Sequence, residues 1–354
     1  MGDRRFLDFS GRHLVGLDID SAGVRMIQLR RRNGQYVVTG AAASDVAPWD
    51  DDPDLHRKNT QQAVRQCLST LGARGKLAVC GLRGTEVVVR GFEFPALPEE
   101  EIKGAVELEA EQLCPFGADE RALDYQVTLN DEKRTRGYWV AATTSLIASR
   151  RQMVYEAGLK CALMDVDGLA LLNCLEGQPN RASEATTISN DDSQDEARPV
   201  VLDVGEHYAS IALVDRAHRP IVRDVPSGDQ EIRHRMSLTA EAWIDLFSGK
   251  VDTDEVIRRA LEKACAPLVE DIASTLRYYV AENCGTHISQ VLLCGRLALS
   301  EDFVEILRAK LSVGVTPWNP VAEMPCEMDE QQEARLRANG PLMAVAAGLA
   351  MRTI

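Results

Sequence analysis

Apolar positions along the chain recur with two different periods, and the changes between them mark the elements. Alternating or continuous apolar runs within residues 13–47 (LVGLDI, VRMIQLRR, YVVTGAAA) predict three strands. Ala63, Val64, Cys67, Leu68 and Leu71 recur at helical spacing and predict a helix over 56–72. The strands KLAVCGL and EVVVRGFEF follow, the second closed by the breakers Pro95 and Pro98. Next come a helix over 99–114, strands over 123–129 and 137–144, and a helix over 145–158 that stops at Gly158. The strand LKCALMDV then leads into a helix over 168–176.

Residues 177–199 break this pattern. They lack large apolar side chains apart from Ile188 and are dense in Ser, Thr, Asn, Asp and Glu, the composition of a solvated linker. After them the opening theme returns as PVVLDVG, ASIALVD and PIVRDVP. LDVG at 202–205 echoes LDID at 17–20, each ending an apolar strand ahead of a second one, which points to a duplicated core. The remainder predicts helices over 229–248, 252–265 and 267–283, the strand ISQVLLCG, a helix over 301–311, a short strand GVTPW and a final apolar helix over 341–351. Strands interleaved with helices make the fold class α/β.

The length of 354 residues suffices for two domains, and 45% hydrophobic with 27% charged residues is ordinary for a soluble protein. Forty basic against 54 acidic residues, a formal charge of −14, argues against a nucleic-acid binder. No stretch approaches the roughly 20 apolar residues of a membrane span. The N-terminus carries two arginines without the apolar run of a signal peptide. Nine scattered cysteines without a CxxC read as free thiols in a reducing cytoplasm, and the six histidines show no ligand spacing.

Several longer stretches are distinctive together: PEEEIKGAVELEAEQLCPF, LDYQV, WVAATT and VYEAGLKCALMDVDGLAL within 86–165 and beyond, then VEDIASTLRYYVAENCG with ISQVLLCG, and the ending GPLMAVAAGLAMR. In these the chain resembles the PilM family of type IV pilus assembly, actin-like proteins related to the cell-division protein FtsA. The resemblance runs from Leu14 to Arg352 apart from the linker. It implies an actin/hexokinase/Hsp70-type fold of two lobes about a nucleotide cleft, divided as follows. Residues 13–85 and 165–176 would form the core of the first lobe, with a partner-binding subdomain inserted at 86–164. The linker 177–199 would lead to the second lobe's core at 200–228 and 286–335, with a helical subdomain at 229–285. Residues 336–354 would return as a helix packing on the first lobe. It also implies a PilN-like bitopic inner-membrane protein as partner through its N-terminal tail, a connection onward to pilus motor ATPases, and a cytoplasmic location at the inner membrane held through that partner. A homo-oligomer is left open.

Actin-like folds hold ATP and magnesium between two acid-bearing hairpins, and Asp18 and Asp203 stand at those positions. Carboxylates suit magnesium because this hard cation keeps its waters, which acids bind; the plainer reading of each is a turn former. Arg25 stands where the family carries lysine and would reach phosphate with a two-pronged bond, or it is a surface arginine. Ser21 offers phosphate a hydroxyl and a backbone N–H, or caps its turn. Gly23 and Gly205 supply turn geometry and close backbone approach. Asp20 and Glu206 stand where small residues are expected, and each would set a negative charge near a polyanion, at about 4 kcal/mol for a ~4 Å separation near a protein surface. Glu270, Ser274 and Arg277 share the polar face of the helix 267–283, opposite Leu268, Ile272, Thr275, Leu276 and Tyr279. They are either ribose-side ligands or a solvated face with a Glu–Arg pair. Of a glycine pair usual beside adenine only Gly295 remains, and Arg296 either obstructs the base or stacks on it. Asp167 reads as an N-cap in preference to a water-orienting acid. No residue is assigned a catalytic role, and ATP binding is expected to be weak or non-hydrolytic.

On the helix 99–114, Ile102, Ala105, Val106 and Leu113 form an apolar stripe with Glu109 in its middle. Glu109 either bonds within the subdomain or receives polar groups of a bound peptide; Phe116 is either core or a wall of the partner groove. The reading is therefore an adaptor or scaffold of the pilus or a related secretion complex. The alternatives are an FtsA-like polymerising ATP-binding protein, which would carry a C-terminal amphipathic helix where this sequence ends in GLAMRTI, a GspL-type secretion protein, and a sugar kinase of the same fold.

Overall fold

A computed structural model of the chain describes residues 14–49, 52–72, 77–178, 198–239, 242, 243, 246, 255–282 and 287–352. His13 and most of the expected linker, residues 179–197, lie outside them, as do parts of the helices expected at 229–248 and 252–265. The described residues fall into two compact units, one drawn from Met1–Gly81, Arg150–Thr187 and Asn319–Ile354, the other from Leu82–Ser149 and Ile188–Trp318.

In the first unit, β1 (Leu14–Ile19), β2 (Gly23–Arg32), β3 (Gln35–Asp45), β4 (Leu77–Leu82) and β8 (Lys160–Val166) form a sheet in the order β3-β2-β1-β4-β8. The first three strands make an antiparallel meander, and β4 joins β1 in parallel. Helix α1 (Pro53–Leu71) starts three residues before the expected position because Asp52 accepts from the N–H groups of Asp54 and Leu55, with Pro53 at the first helical position. Its Ala63, Val64 and Cys67 pack on Val15, Leu17 and Met26. Helix α4 (Asp167–Glu176) and the closing helix α9 (Ala344–Ala350) are almost entirely buried. Their approach is so close that a Cβ on Gly348 would run into the Ala170 carbonyl. Helix α8 (Glu330–Ala338) was not anticipated. Only Leu336 is buried in EQQEARLRA, so no apolar period announces it; Asp329 caps it by accepting from Gln332 N–H.

In the second unit, β9 (Arg198–Val204), β10 (Ala209–Val214), β11 (Pro220–Val225), β12 (Ile288–Gly295) and β13 (Gly314–Pro317) are ordered β11-β10-β9-β12-β13. The meander β9-β10-β11 is again antiparallel, and β12 again joins the central strand in parallel. The two sheets therefore repeat one topology, with β1 and β9 in equivalent places. Helix α7 (Glu301–Lys310), which Ser300 caps by accepting from the Phe303 N–H, lies between β12 and β13 in the chain. A further sheet, β5-β7-β6, comes from β5 (Val87–Pro95), β6 (Arg121–Asn130) and β7 (Arg134–Thr143). Helix α2 (Glu99–Leu113) covers it with Ile102, Val106 and Ala110 against Phe92, Trp139 and Ala141. Helix α3 (Thr144–Glu156) then carries the chain into the first unit.

Two helix expectations are corrected. Helix α5 (Asp229–Arg235) ends well before residue 248, since Ser237 takes a left-handed conformation (φ 55°). The helices expected at 252–265 and 267–283 are one, α6 (Glu255–Glu282), with Pro267 inside it. Proline removes a hydrogen bond to the carbonyl four residues back. Here that carbonyl belongs to Lys263, on the exposed side, where water can satisfy it. The face Leu268, Ile272, Thr275, Leu276 and Tyr279 is buried as its period implied.

Burial sets the thiols apart. Desolvation pushes Cys67 and Cys265 each up to about 12, and it raises Cys174 as well. A hydrogen bond from Cys80 on the neighbouring strand draws half-buried Cys161 below its ordinary range against desolvation, with help from the Leu163 backbone and Arg151. Thiolate is the reactive form, so brief iodoacetamide treatment at neutral pH, read by peptide mass spectrometry, should alkylate Cys161 well ahead of Cys67, Cys174 and Cys265. Equal labelling of Cys174 would contradict this core.

Candidate functional site

The hairpin of β1 and β2 turns on Ser21 and Ala22, closed by reciprocal bonds between Asp20 and Gly23 (Asp20 N–H to Gly23 O 2.9 Å, Gly23 N–H to Asp20 O 3.3 Å). The antiparallel register sets Asp18 directly opposite Arg25. Both are buried, and a guanidinium nitrogen lies 3.9 Å from the carboxylate. Gly23 leaves room for that guanidinium, whose nearest nitrogen would sit 3.3 Å from a Cβ at position 23. Arg25 is thus no surface residue: the ladder itself brings acid and cation together. Asp20 does more than set a negative charge at the turn. Its carboxylate accepts from both the backbone N–H (2.8 Å) and the hydroxyl (3.3 Å) of Ser21, the two donors expected for phosphate.

In the second unit the equivalent register sets Ser210 opposite Asp203. The cation arrives from elsewhere: Arg83, in the loop after β4, reaches Asp203 at 3.4 Å, with both side chains buried. The same loop is tied down by the Gly84 N–H donating to Asp224 (2.6 Å), whose other oxygen accepts from Ser210 (2.6 Å). Sequence reasoning missed Arg83, since a lone arginine 120 residues from its acid carries no local signal. Gly295 is required where it stands. Its φ of 82° is left-handed, and a Cβ would lie 2.6 Å from the Val204 carbonyl and 2.9 Å from the Asp203 carboxylate. Arg296 follows it, half-buried, at the start of a 3₁₀ turn.

Glu206 corrects the expected repulsion. The turn Gly205–Tyr208 is closed by the Gly205 N–H on the Tyr208 carbonyl (2.9 Å) and docks on α5, whose Asp229 and Gln230 N–H groups donate to the carbonyls of Gly205 and Glu206. This draws the Glu206 side chain inside, 4% exposed, with Arg233 of α5 at 3.7 Å. Its charge is compensated within the unit. Glu270, Ser274 and Arg277 are all exposed, and Glu270 and Arg277 form a 2.7 Å ion pair with side chains 71% and 64% exposed. The solvated-face reading describes that geometry. Asp167 is not the N-cap expected: α4 begins at Asp167 itself, with Val166 at the cap and no side-chain cap bond. Its buried carboxylate instead lies over Gly81 on β4. Nearby, burial lifts Asp165 above the usual carboxylate range despite Arg352 at 3.3 Å.

On α2 the buried line is Ile102, Val106 and Ala110; Leu113, read as part of it, stands in the last turn and is 44% exposed. Glu109 and Phe116 are half-buried, and the Phe116 carbonyl accepts from Arg121 (2.8 Å).

Magnesium takes carboxylates and water, whereas phosphate takes arginine. Each unit brings a buried acid and an arginine together, at separations (3.9 and 3.4 Å) longer than the roughly 2.7–2.9 Å of a close charge-assisted bond. Each pair by itself fits a magnesium–phosphate group, Asp18 or Asp203 toward the cation and Arg25 or Arg83 toward the anion.

Comparison with known proteins places this architecture. The chain superposes on a solved structure described as a PilM-PilN type IV pilus biogenesis complex with a TM-score of 0.77 and 22% identity, over 96% of this chain and 98% of that one. A diol dehydratase-reactivating factor in nucleotide-free form (TM-score 0.52, 8% identity, 96% and 99% covered) and a glycerol dehydratase reactivase (0.51, 8%, 95% and 99%) share the fold. The fold is actin-like α/β. The sequence profile of the family described as type IV pilus assembly protein PilM matches residues 16–354, and the chain belongs to that family.

Proposed function

We propose that this protein is an actin-like adaptor of a type IV pilus inner-membrane assembly complex. In this reading it binds the extended N-terminal tail of a PilN-like membrane protein and takes ATP with magnesium weakly, without efficient turnover. The family match over residues 16–354 carries the reading, supported by the likeness to a solved complex of PilM with PilN. No described helix is long and apolar enough to cross a membrane, and attachment to the inner membrane runs through the partner. Glu109 and Phe116, beside the sheet β5-β7-β6, are the proposed tail contacts. Asp18 with Arg25 in the first unit and, separately, Asp203 with Arg83 in the second are the proposed ligands of magnesium phosphate, and bound magnesium would offset the charge of the terminal phosphates.

Weak affinity follows from the first turn. A phosphate there must compete with Asp20 for the Ser21 N–H and hydroxyl and tolerate the Asp20 charge. Asp20→Gly is therefore expected to tighten a fluorescent ATP analogue about tenfold, roughly the 1.4 kcal/mol that two freed donors supply. Asp203→Ala should weaken it, and phosphate release should stay near background in both. Rapid turnover that Asp203→Ala abolishes would overturn the non-hydrolytic reading. For the partner, calorimetry with a synthetic PilN N-terminal peptide should show binding that Phe116→Ala weakens. An unchanged affinity would remove Phe116 from the contact, and no binding at all would sink the adaptor reading.

A further inference from the structure

The second unit holds a groove of about 560 Å³ that neither proposed site uses. Its floor is apolar, from Ile211, Leu213, Ile221 and Leu276, and Tyr278 of α6 stands at it 61% exposed. Its sides include residues 89–91 of β5 and 220–223 of β11. β5 pairs only with β7 and β11 only with β10, and among the described residues no ladder hydrogen bond joins β5 to β11. Each is an edge strand of its own sheet; the two lie side by side, and the Arg219 side chain packs on Gly91 of β5.

The charge of the groove is opposite to that of the chain. Four charged side chains line it: Arg90, Asp215, Arg219 and Arg223. Asp215 answers Arg219, accepting from its backbone N–H and its guanidinium at 2.8 Å. Arg90 and Arg223 are exposed and have no carboxylate partner among the described residues. Two uncompensated arginines on a protein of formal charge −14 attract an anion. The volume lies within the roughly 300–1,000 Å³ of ligand sites. A peptide lying extended along the groove would point successive side chains to opposite sides, apolar ones to the floor and acidic ones to the arginines.

We propose that this groove binds an acidic peptide segment in extended conformation, with Arg90 and Arg223 receiving its carboxylates. The site is separate from the proposed tail contacts at Glu109 and Phe116, so the two readings are tested independently. The probe is a capped, fluorescein-labelled heptapeptide alternating valine and glutamate, titrated with the full chain and followed by anisotropy; its lysine–valine counterpart is the control. The acidic probe should bind and the basic one should not. Arg90→Glu combined with Arg223→Glu should weaken the acidic probe at least about tenfold and transfer binding to the basic probe. If the double reversal fails to fold, Arg90→Gln and Arg223→Gln should each weaken the acidic probe about threefold or more. Bound probe should slow hydrogen exchange at backbone amides of Val87–Pro95 or Pro220–Val225. The synthetic PilN peptide should bind the charge-reversed protein as it binds the natural one. Absence of binding up to about millimolar acidic probe, equal binding of both probes, insensitivity to the substitutions, or unprotected strand amides would each overturn the proposal. Displacement of the probe by glutarate as readily as by unlabelled peptide would overturn its assignment to a peptide.

Discussion

Gly348→Val is expected to lower the melting temperature of the first unit by roughly 8–16 °C, about 2–4 °C for each kcal/mol lost. The position is a contact between backbones: a Cβ there would collide with the carbonyl of Ala170 in α4. Neither partner can move cheaply, since α4 is buried along most of its length and α9 also packs on β1, where Gly16 lies against the Ala346 carbonyl. Overpacking a dense core commonly costs about 1–3 kcal/mol, and more when backbone must shift. A further few tenths come from a β-branched residue inside a helix. A loss of about 4 kcal/mol is a large part of a typical domain's margin of about 5–15 kcal/mol. Circular dichroism melting checks it, with Gly104→Ala as the matched control. Gly104 lies on the exposed face of α2, where a methyl group would meet nothing within 4 Å, so alanine there should raise stability by about 0.5–1 kcal/mol. Melting of Gly348→Val within a degree or two of the natural chain would refute the α4–α9 contact.

Trp139→Ala is expected to unfold the sheet β5-β7-β6 while the larger sheet of the same unit stays folded. Trp139 is fully buried on the central strand and packs with Phe92, Ile102, Val106 and Ala110. Truncating a buried tryptophan to alanine costs about 3–5 kcal/mol, and this cluster is too small to absorb it. Hydrogen exchange should lose protection across Val87–Pro95 and Arg134–Thr143 but keep it in Ile288–Gly295. Capture of the PilN peptide should fall with it, as the proposed tail contacts lie in the same segment. Trp139→Phe should be milder than the alanine change. The indole N–H is buried without an acceptor among the described residues, so removing it relieves a desolvated donor while most of the ring's packing remains. Uniform loss of protection across the unit would show that the small sheet has no stability of its own.

How far the sequence was legible varied from residue to residue. Both hairpins, the repeated meander and the buried face of α6 followed from apolar periodicity, because burying one face of a strand or helix dictates where apolar side chains recur. The acids Asp18 and Asp203 stood out for the same reason, as polar residues ending apolar strands. Helix α8 did not, since a helix whose only buried residue is Leu336 has no period to read. The continuity of α6 through Pro267 depended on which way the freed carbonyl faced, and Leu113 kept the angular position of the buried stripe yet lay outside it.

By itself, the order of residues determined the α/β class, the duplicated hairpins and membership of the PilM family, since each rests on local period or on long matched stretches. Tertiary structure alone decided what the charged residues do. Arg25 meets Asp18 across a ladder, Arg83 crosses 120 residues of sequence to Asp203, Glu206 turns inward to Arg233, and Asp20 takes the donors of Ser21. A charge acts on whatever the fold brings within a few ångströms of it, and separation along the chain does not set that distance.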